Sequence, residues 1–220
     1  MGELPEFRNP VVTVGSFDGV HRGHLYLLSV LRERAQMLGG EVVVVTFGVH
    51  PRRVLEGASG EVGGVSGSDF EASGELRLLT SNEEKVRLLE AAGVDNLIVM
   101  PFDAEVAAWS AEEFVRDFLV GRVGVRELVV GYNHRLGRGR EGGVEELGAL
   151  GVKYGFGVFE VGRFGSRNAD GDFGYADGLG EDFGGSGCVE KISSTAIREA
   201  LDRGDLALAE WMLGRRIIES

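Results

Sequence analysis

Cysteine occurs once in the 220 residues and proline only four times. A single thiol cannot build an internal disulfide framework, which points to a reducing compartment. Scarce proline with glycine in no fixed period excludes a collagen-like triple helix. Cations are outnumbered: 23 Lys and Arg face 35 Asp and Glu, a net charge of −12. Such a balance lacks the basic footprint of a general polyanion binder. Long hydrophobic runs are missing as well. The strongest apolar stretch near the start, Val42 to Phe47, is far too short to span a bilayer. The first ten residues carry Glu3 and Glu6 and no apolar signal region. These absences lead us to expect a soluble cytoplasmic chain with neither membrane nor nucleic acid as partner. Oligomeric state is not legible. With 43% hydrophobic residues, a single domain over 1–220 is the expectation at this length.

Glycine, by contrast, is abundant at 36 residues, and it is unevenly spread. Segments 56–74 and 162–187 hold 15 glycines in 45 residues, with 9 acidic and 2 basic residues. They therefore carry −7 of the −12, and the other 175 residues only −5. Flexible backbone and self-repelling charge both oppose packing. Both segments read as mobile, acidic surface insertions.

A strand and helix alternation organises the rest. Strands are expected at Val11 to Gly15, Glu41 to Phe47, Leu97 to Met100, Glu127 to Gly131 and Gly157 to Val161. Between them come a helix with Leu27, Leu28, Leu31, Ala35 and Leu38 on one face, a helix from Ser81 to about Ala92, and one from Ser110 to about Val120. Ser81 with Glu84, and Ser110 with Glu113, have capping-box spacing. A weaker helix is expected near Val144 to Leu150, and two short ones at about 194–202 and 205–213. This order implies an α/β fold with a mainly parallel sheet and helices on both faces. Ligands in such sheets sit beyond the carboxyl ends of the strands, at a topological switch point. The post-strand segments are therefore the ones to read for chemistry.

The first strand is followed by Gly15-Ser16-Phe17-Asp18-Gly19-Val20-His21-Arg22-Gly23-His24. Two of the four histidines flank a glycine where a helix begins. Free amides and the positive dipole end of a helix suit phosphate, and imidazole N–H groups add donors. The second strand leads into Thr46-Phe47-Gly48-Val49-His50-Pro51-Arg52-Arg53, an aromatic ring, a histidine and two cations. The fourth leads into Gly131-Tyr132-Asn133-His134-Arg135-Leu136-Gly137-Arg138-Gly139-Arg140, the densest basic stretch of the chain. Asn133 can both donate and accept toward a base or ribose. An RNA contact is the alternative for this loop, disfavoured by the overall charge. Near the end, Ser193, Ser194 and Thr195 open a helix, and Arg198 lies one turn on from Ser194. One hydroxyl reads as a plain N-cap; the others and the guanidinium read as a second phosphate site.

Four motifs in order carry a family resemblance. GSFDGVHRGH resembles the G-x-F-D-G-x-H-x-G-H signature of the FMN adenylyltransferase module of prokaryotic FAD synthetases, usually the N-terminal half of a bifunctional riboflavin kinase/FMN adenylyltransferase. TFGVHP is similar to its T-F-x-P-H-P, GYNHRLGRG to its G-x-[ND]-F-R-F-G-x-G, and ISSTAIR to its S-S-T-x-I-R. The stretch LLTSNEEKVRLLEAAGVD resembles its helical region between them. The resemblance covers about residues 9–214. A bare HxGH marks a whole superfamily; the four motifs together narrow it.

The resemblance implies a Rossmann-like nucleotidyltransferase fold and a reaction in which ATP and FMN give FAD and pyrophosphate, with Mg2+. It implies that His21 and His24 contact the ATP phosphates, and that Ser194, Thr195 and Arg198 hold the β and γ phosphates. Gly15, Phe17, Asp18 and Gly23 would shape the ATP side, with Asn133 and Arg135 contacting the nucleotide and Mg2+ near Asn133. Phe47, His50, Pro51 and Leu136 fall on the flavin side. Gly48, Val49, His134 and Leu136 depart from the family pattern, all on the flavin or metal side. The chain stops at LGRRIIES, about where the kinase domain of the bifunctional enzymes starts, so riboflavin phosphorylation is not expected. Other readings are a different HxGH nucleotidyltransferase, with pantetheine phosphate or nicotinate mononucleotide as acceptor, and a flavin-nucleotide binding protein without turnover.

Overall fold

The structure, a computed structural model, describes residues 3–48, 77–162, 164 and 192–217. The insertions at 56–74 and 162–187 lie outside the described residues, apart from Gly162 and Phe164. Five strands, β1 (Val11–Val14), β2 (Val42–Phe47), β3 (Asn96–Met100), β4 (Glu127–Gly131) and β5 (Gly157–Val161), form one sheet. Its order is β3-β2-β1-β4-β5 and every pairing is parallel. The α/β class with a parallel sheet is thus observed, and the order reverses at β1, between β2 and β4. That reversal is a topological switch point.

The Val-rich strands follow from this arrangement. A central parallel strand is buried on both faces and needs apolar side chains on each. Along β2, Val43 and Val45 enter one core, whereas Val42 and Val44 enter the other. The second core is covered by α1 (Arg22–Met37) and α2 (Asn82–Ala91). The first is covered by α4 (Ala111–Glu113), which runs on as a π-helical stretch, Phe114–Val123, and by α5 (Val144–Tyr154). Helices therefore do lie on both faces. A short α3 (Ala104–Ala108), capped by Asp103, has no periodic apolar face and was not among the expected elements. The capping serines Ser81 and Ser110 take the places their spacing predicts, and Leu88 and Leu89 of α2 pack into the second core. The helix expected to fade at Leu150 continues to Tyr154, where Gly155 ends it in the left-handed region.

Two further helices, α6 (Ser194–Asp202) and α7 (Leu206–Leu213), pack on each other through Ile197, Ala200, Ala209, Met212 and Leu213. Leu79, just before α2, joins this cluster. The pair thereby reaches the loop that follows β1.

Candidate active site

The loop from Gly15 to His21 leaves the carboxyl end of β1 at the switch point. Its backbone is held from several directions. The Ser16 carbonyl accepts from the Lys85 ammonium at 3.4 Å and the Thr46 hydroxyl at 3.2 Å. The Asp18 carbonyl accepts from the Ser194 hydroxyl at 2.9 Å, and the Gly19 carbonyl from the Arg215 guanidinium at 2.7 Å. The Gly19 amide donates to the Thr80 hydroxyl at 3.1 Å. Side chains of β2, α2, α6 and the segment after α7 thus fix one short turn.

That fixation maintains an unfavourable backbone. Phe17 and Val20 have φ of +49° and +36°, in the region that L side chains avoid. Val20 is β-branched, for which such a φ is a genuine outlier. Both side chains are 1% exposed, locked in the α1–α2 core. Gly19, between them at φ +83°, takes a backbone that favours glycine, and an added Cβ would stand 2.9 Å from Leu79 Cδ1 and push that side chain aside. Strained turns persist only where their surroundings over-determine them, and they cluster at functional sites.

Asp18 is the hub of the loop. Its carboxylate accepts from the Arg198 guanidinium and from the Leu79 amide at 2.9 Å. Arg198 also donates to the Arg77 carbonyl at 2.6 Å. Burial pushes the Asp18 carboxyl up from its ordinary value, opposed by Arg198, the Leu79 and Thr80 amides and Lys85. Burial pushes the Lys85 ammonium down, opposed by Asp18. Ser194 and Arg198, one turn apart, therefore share a face as their spacing predicts, and that face clasps Asp18. The N-cap is Ser193, which accepts from the Ala196 amide at 3.2 Å. Thr195 beside it is half-buried.

His21 caps α1: its Nδ1 accepts from the His24 amide at 3.3 Å. A nitrogen that accepts carries no proton, so neutral His21 holds its proton on Nε2. The His21 and His24 rings stack at 3.7 Å, 11° from parallel, and Phe17 lies 5.0 Å from His24. Gly23 permits this close fold-back, since a Cβ there would stand 3.3 Å from the His21 ring. Burial, with some repulsion from Arg215, holds His21 down at about 4. Burial and His21 hold His24 well below its ordinary value. Both imidazoles are neutral N–H donors at pH 7. His24 Nδ1 is buried with no hydrogen-bond partner among the described residues.

The other predicted residues stand on the neighbouring strand ends. Asn133 and Arg135 are exposed on the loop after β4, across the switch point from His21. Leu136 is turned inward, 7% exposed, bridged to Gly142 and packed in the α4–α5 core. Phe47 ends β2 edge-on to Phe102 at 5.1 Å. Gly15 follows β1, and a Cβ added to it would stand 3.0 Å from the Phe17 ring. His50 and Pro51 lie outside the described residues. Among the described residues, no group of three or more His, Cys, Asp or Glu is placed to hold a metal ion.

The chain that builds this turn is similar to known proteins. The family model described as FAD synthetase matches residues 4–170. The chain belongs to the FAD synthetase family. It is 35% identical over 204 residues to the bifunctional riboflavin kinase/FMN adenylyltransferase of Escherichia coli (strain K12), covering 93% of this chain and 54% of that protein. It is 34% identical over 211 residues to the protein of the same description from Pseudomonas fluorescens, covering 96% and 56%. The chain thus spans about half the length of the curated relatives it matches. A crystal structure of a macrolide-efflux protein from Streptococcus pneumoniae superposes with a TM-score of 0.68 over 96% of this chain and 56% of that one, at 24% identity. At that identity the likeness speaks for the fold. No helix among the described residues is long and apolar enough to cross a membrane.

Several residues that hold this loop do so through long-range contacts that sequence spacing does not show. Thr46, Leu79, Thr80, Lys85 and Arg215 all hold the β1 loop. The signal that could have found Lys85 is its spacing, three and four residues before Leu88 and Leu89 in phase with the apolar face of α2, where it is 8% exposed.

Proposed function

We propose that the chain transfers AMP from ATP to FMN, giving FAD and pyrophosphate. The observation that carries this reading is the His21–His24 pair, neutral and stacked, at the N-terminus of α1 on the switch-point side of the sheet. An FMN phosphate oxygen forms a bond to the α-phosphorus of ATP while the bond to the β-phosphate oxygen breaks in line. Negative charge grows on the departing pyrophosphate. Chemistry of this kind depends on positioning and on preorganised donors rather than on a covalent enzyme intermediate.

In this reading His21 Nε2–H and the His24 imidazole donate to the phosphates, beside the free amides of the α1 N-terminus. Ser194, whose hydroxyl donates to the Asp18 carbonyl, holds the loop, and the Thr195 hydroxyl beside it is the one offered to the β and γ phosphates. Arg198 acts through Asp18, whose carboxylate it holds, and so keeps the loop in shape. Gly15, Phe17, Asp18 and Gly23 shape the ATP side, and Asn133 and Arg135 reach the nucleotide from β4. Phe47 stands on the flavin side in this reading, the family resemblance adds His50 and Pro51 to it, and Leu136, buried in the core, would support it from behind. Because Asp18 is engaged by Arg198, magnesium would enter bound to the triphosphate, with the Asn133 side-chain oxygen as the available protein ligand; Mg2+ habitually keeps most of its ligands as water and phosphate. It would supply charge neutralisation. The ligands are then small nucleotides in the cytoplasm, with no part for membrane or nucleic acid.

The test is direct. Protein, ATP, Mg2+ and FMN are incubated and the mixture is resolved by chromatography. FAD and pyrophosphate in equal amounts support the reading. Turnover only with pantetheine phosphate or nicotinate mononucleotide moves the chain to another nucleotidyltransferase, and tight flavin binding without turnover makes it a binding protein.

A further inference from the structure

The segment that follows α7 reaches back 196 residues to the β1 loop through Arg215. The approach is built from several contacts. Leu213 is buried and packs toward Gly19, where an added Cβ would stand 3.4 Å from its Cδ2. Gly214 ends α7 with φ +72° and turns the chain so that the next side chain points at the loop. A Cβ on Gly214 would stand 3.2 Å from Arg22 Cγ, so α1 and this turn are in contact. The Trp211 ring lies 5.2 Å beneath the Arg22 guanidinium. One arm of Arg215 then donates to the Gly19 carbonyl at 2.7 Å, and the other stands 3.3 Å from Glu84 of α2. Only 24% of its side chain is exposed.

We infer that Arg215 is a positioning residue for the phosphate-facing loop: it fastens the Gly19 carbonyl, two residues before His21, and stations a permanent positive charge there. Two consequences follow from geometry and charge. A carbonyl drawn toward the guanidinium turns its peptide so that the Val20 amide is directed the opposite way, and this stabilises the strained Val20 backbone. A fixed cation beside an imidazole disfavours its protonated form, so His21 stays a neutral donor. Repulsion from Arg215 is indeed among the causes that lower His21. The charged and titratable groups around this loop are Asp18, Arg22 and His24 on its own segment, Glu84 and Lys85 on α2, Arg198 on α6, and Arg215. Arg198 is committed to Asp18, and Lys85 to the Ser16 and Phe47 carbonyls. Arg215 is the cation of this set that holds Gly19.

The kinetic arm of the test rests on the proposed adenylyl transfer; the titration arm does not. Wild type, Arg215→Met and Arg215→Lys are titrated without ligand, following the His21 ring proton by NMR, assigned with a His21→Gln reference. R215M is expected to move the His21 midpoint upward by on the order of half a pH unit, and R215K to return it toward wild type. In steady state, R215M is expected to lose about tenfold in kcat/KM for ATP, the worth of one charge-assisted hydrogen bond, with KM for FMN within about twofold. R215K recovers part of that loss. If R215M does not fold, R215Q removes the charge while keeping a donor for Gly19 and carries the titration. A His21 midpoint that stays put on loss of the charge, or that moves equally in R215M and R215K, overturns the inference, as does unchanged kcat/KM in R215M. A wild-type chain that makes no FAD overturns the functional reading alone, and the His21 titration still decides the role of Arg215.

Discussion

The Arg198 guanidinium donates to the Asp18 carboxylate inside the protein, with 2% of the one side chain and 3% of the other exposed. The pair joins α6 to a turn 180 residues earlier in the chain. Removing one member leaves the other charged and buried, which costs about 3–5 kcal/mol, whereas replacing both with apolar groups costs far less. Asp18→Asn and Arg198→Met should each lower the urea midpoint sharply, and the double variant should recover much of the loss. Strictly additive effects would show that the two side chains act independently.

The same pair shows what could and could not be seen in the sequence. Local signals were legible: the Ser110 capping box forms, and the valines of β1 and β2 are buried on both faces as a central parallel strand requires. The motifs also fell at strand ends, where ligands of parallel sheets sit. Arg198 was different. Its spacing from Ser194 placed both on one helix face, but nothing local says whether that face meets a ligand or a carboxylate from elsewhere. The contact with Asp18 is long-range, and so are those of Lys85 and Arg215. The π-helical form of Phe114–Val123 was also invisible, since its apolar spacing resembles that of an α-helix.

Acid should destabilise the fold before its carboxylates are protonated. His21 and His134 are both held down at about 4 from an ordinary 6.5, chiefly by burial, and His24 is lowered as well. Between those values the unfolded chain binds protons that the folded chain refuses, so stability falls as pH drops. The contribution is fully present above about 6.5 and lost toward 4. For His21 alone, 6% exposed, it amounts to roughly 3 kcal/mol at most. Asp18, raised by burial, acts with the opposite sign, but three imidazoles oppose one carboxyl. Thermal midpoints should therefore hold above about pH 6.5 and fall from there to pH 5. His134→Phe removes one titrating group and should flatten the slope; an unaltered slope would mean that His134 is protonated freely in the folded protein.

Lys85 ties the ends of two adjacent strands. Its ammonium donates to the Ser16 carbonyl after β1 and to the Phe47 carbonyl of β2, at 3.4 and 3.1 Å. Thr46 shares the Ser16 carbonyl. In Lys85→Met the Phe47 carbonyl loses its donor while Ser16 keeps Thr46, for a cost of about 2 kcal/mol. Thr46→Val should cost less, because Lys85 still serves Ser16. Only the double variant strips Ser16 of both side-chain donors, so its loss should exceed the sum. Urea unfolding of the four proteins measures the coupling. Since Phe47 stands on the proposed flavin side, K85M should also raise KM for FMN more than KM for ATP. Equal rises would place Lys85 outside the flavin side.

His24 offers the sharpest separation of chemistry from binding. Its ring stacks on His21 and against Phe17, in the turn proposed to receive the ATP phosphates, not at the β2 end proposed for the flavin. A donor aimed at charge that develops in the transition state typically contributes 10²- to 10³-fold in rate. His24→Ala should therefore lower kcat by about that factor while the FMN dissociation constant, read from flavin fluorescence, changes little. His24→Asn retains a side-chain donor and should lose less. Circular dichroism would confirm that α1 survives, as the His21 cap uses the His24 backbone amide, which the substitution leaves in place. A variant that turns over normally but no longer holds FMN would reverse the assignment and move His24 to the flavin side.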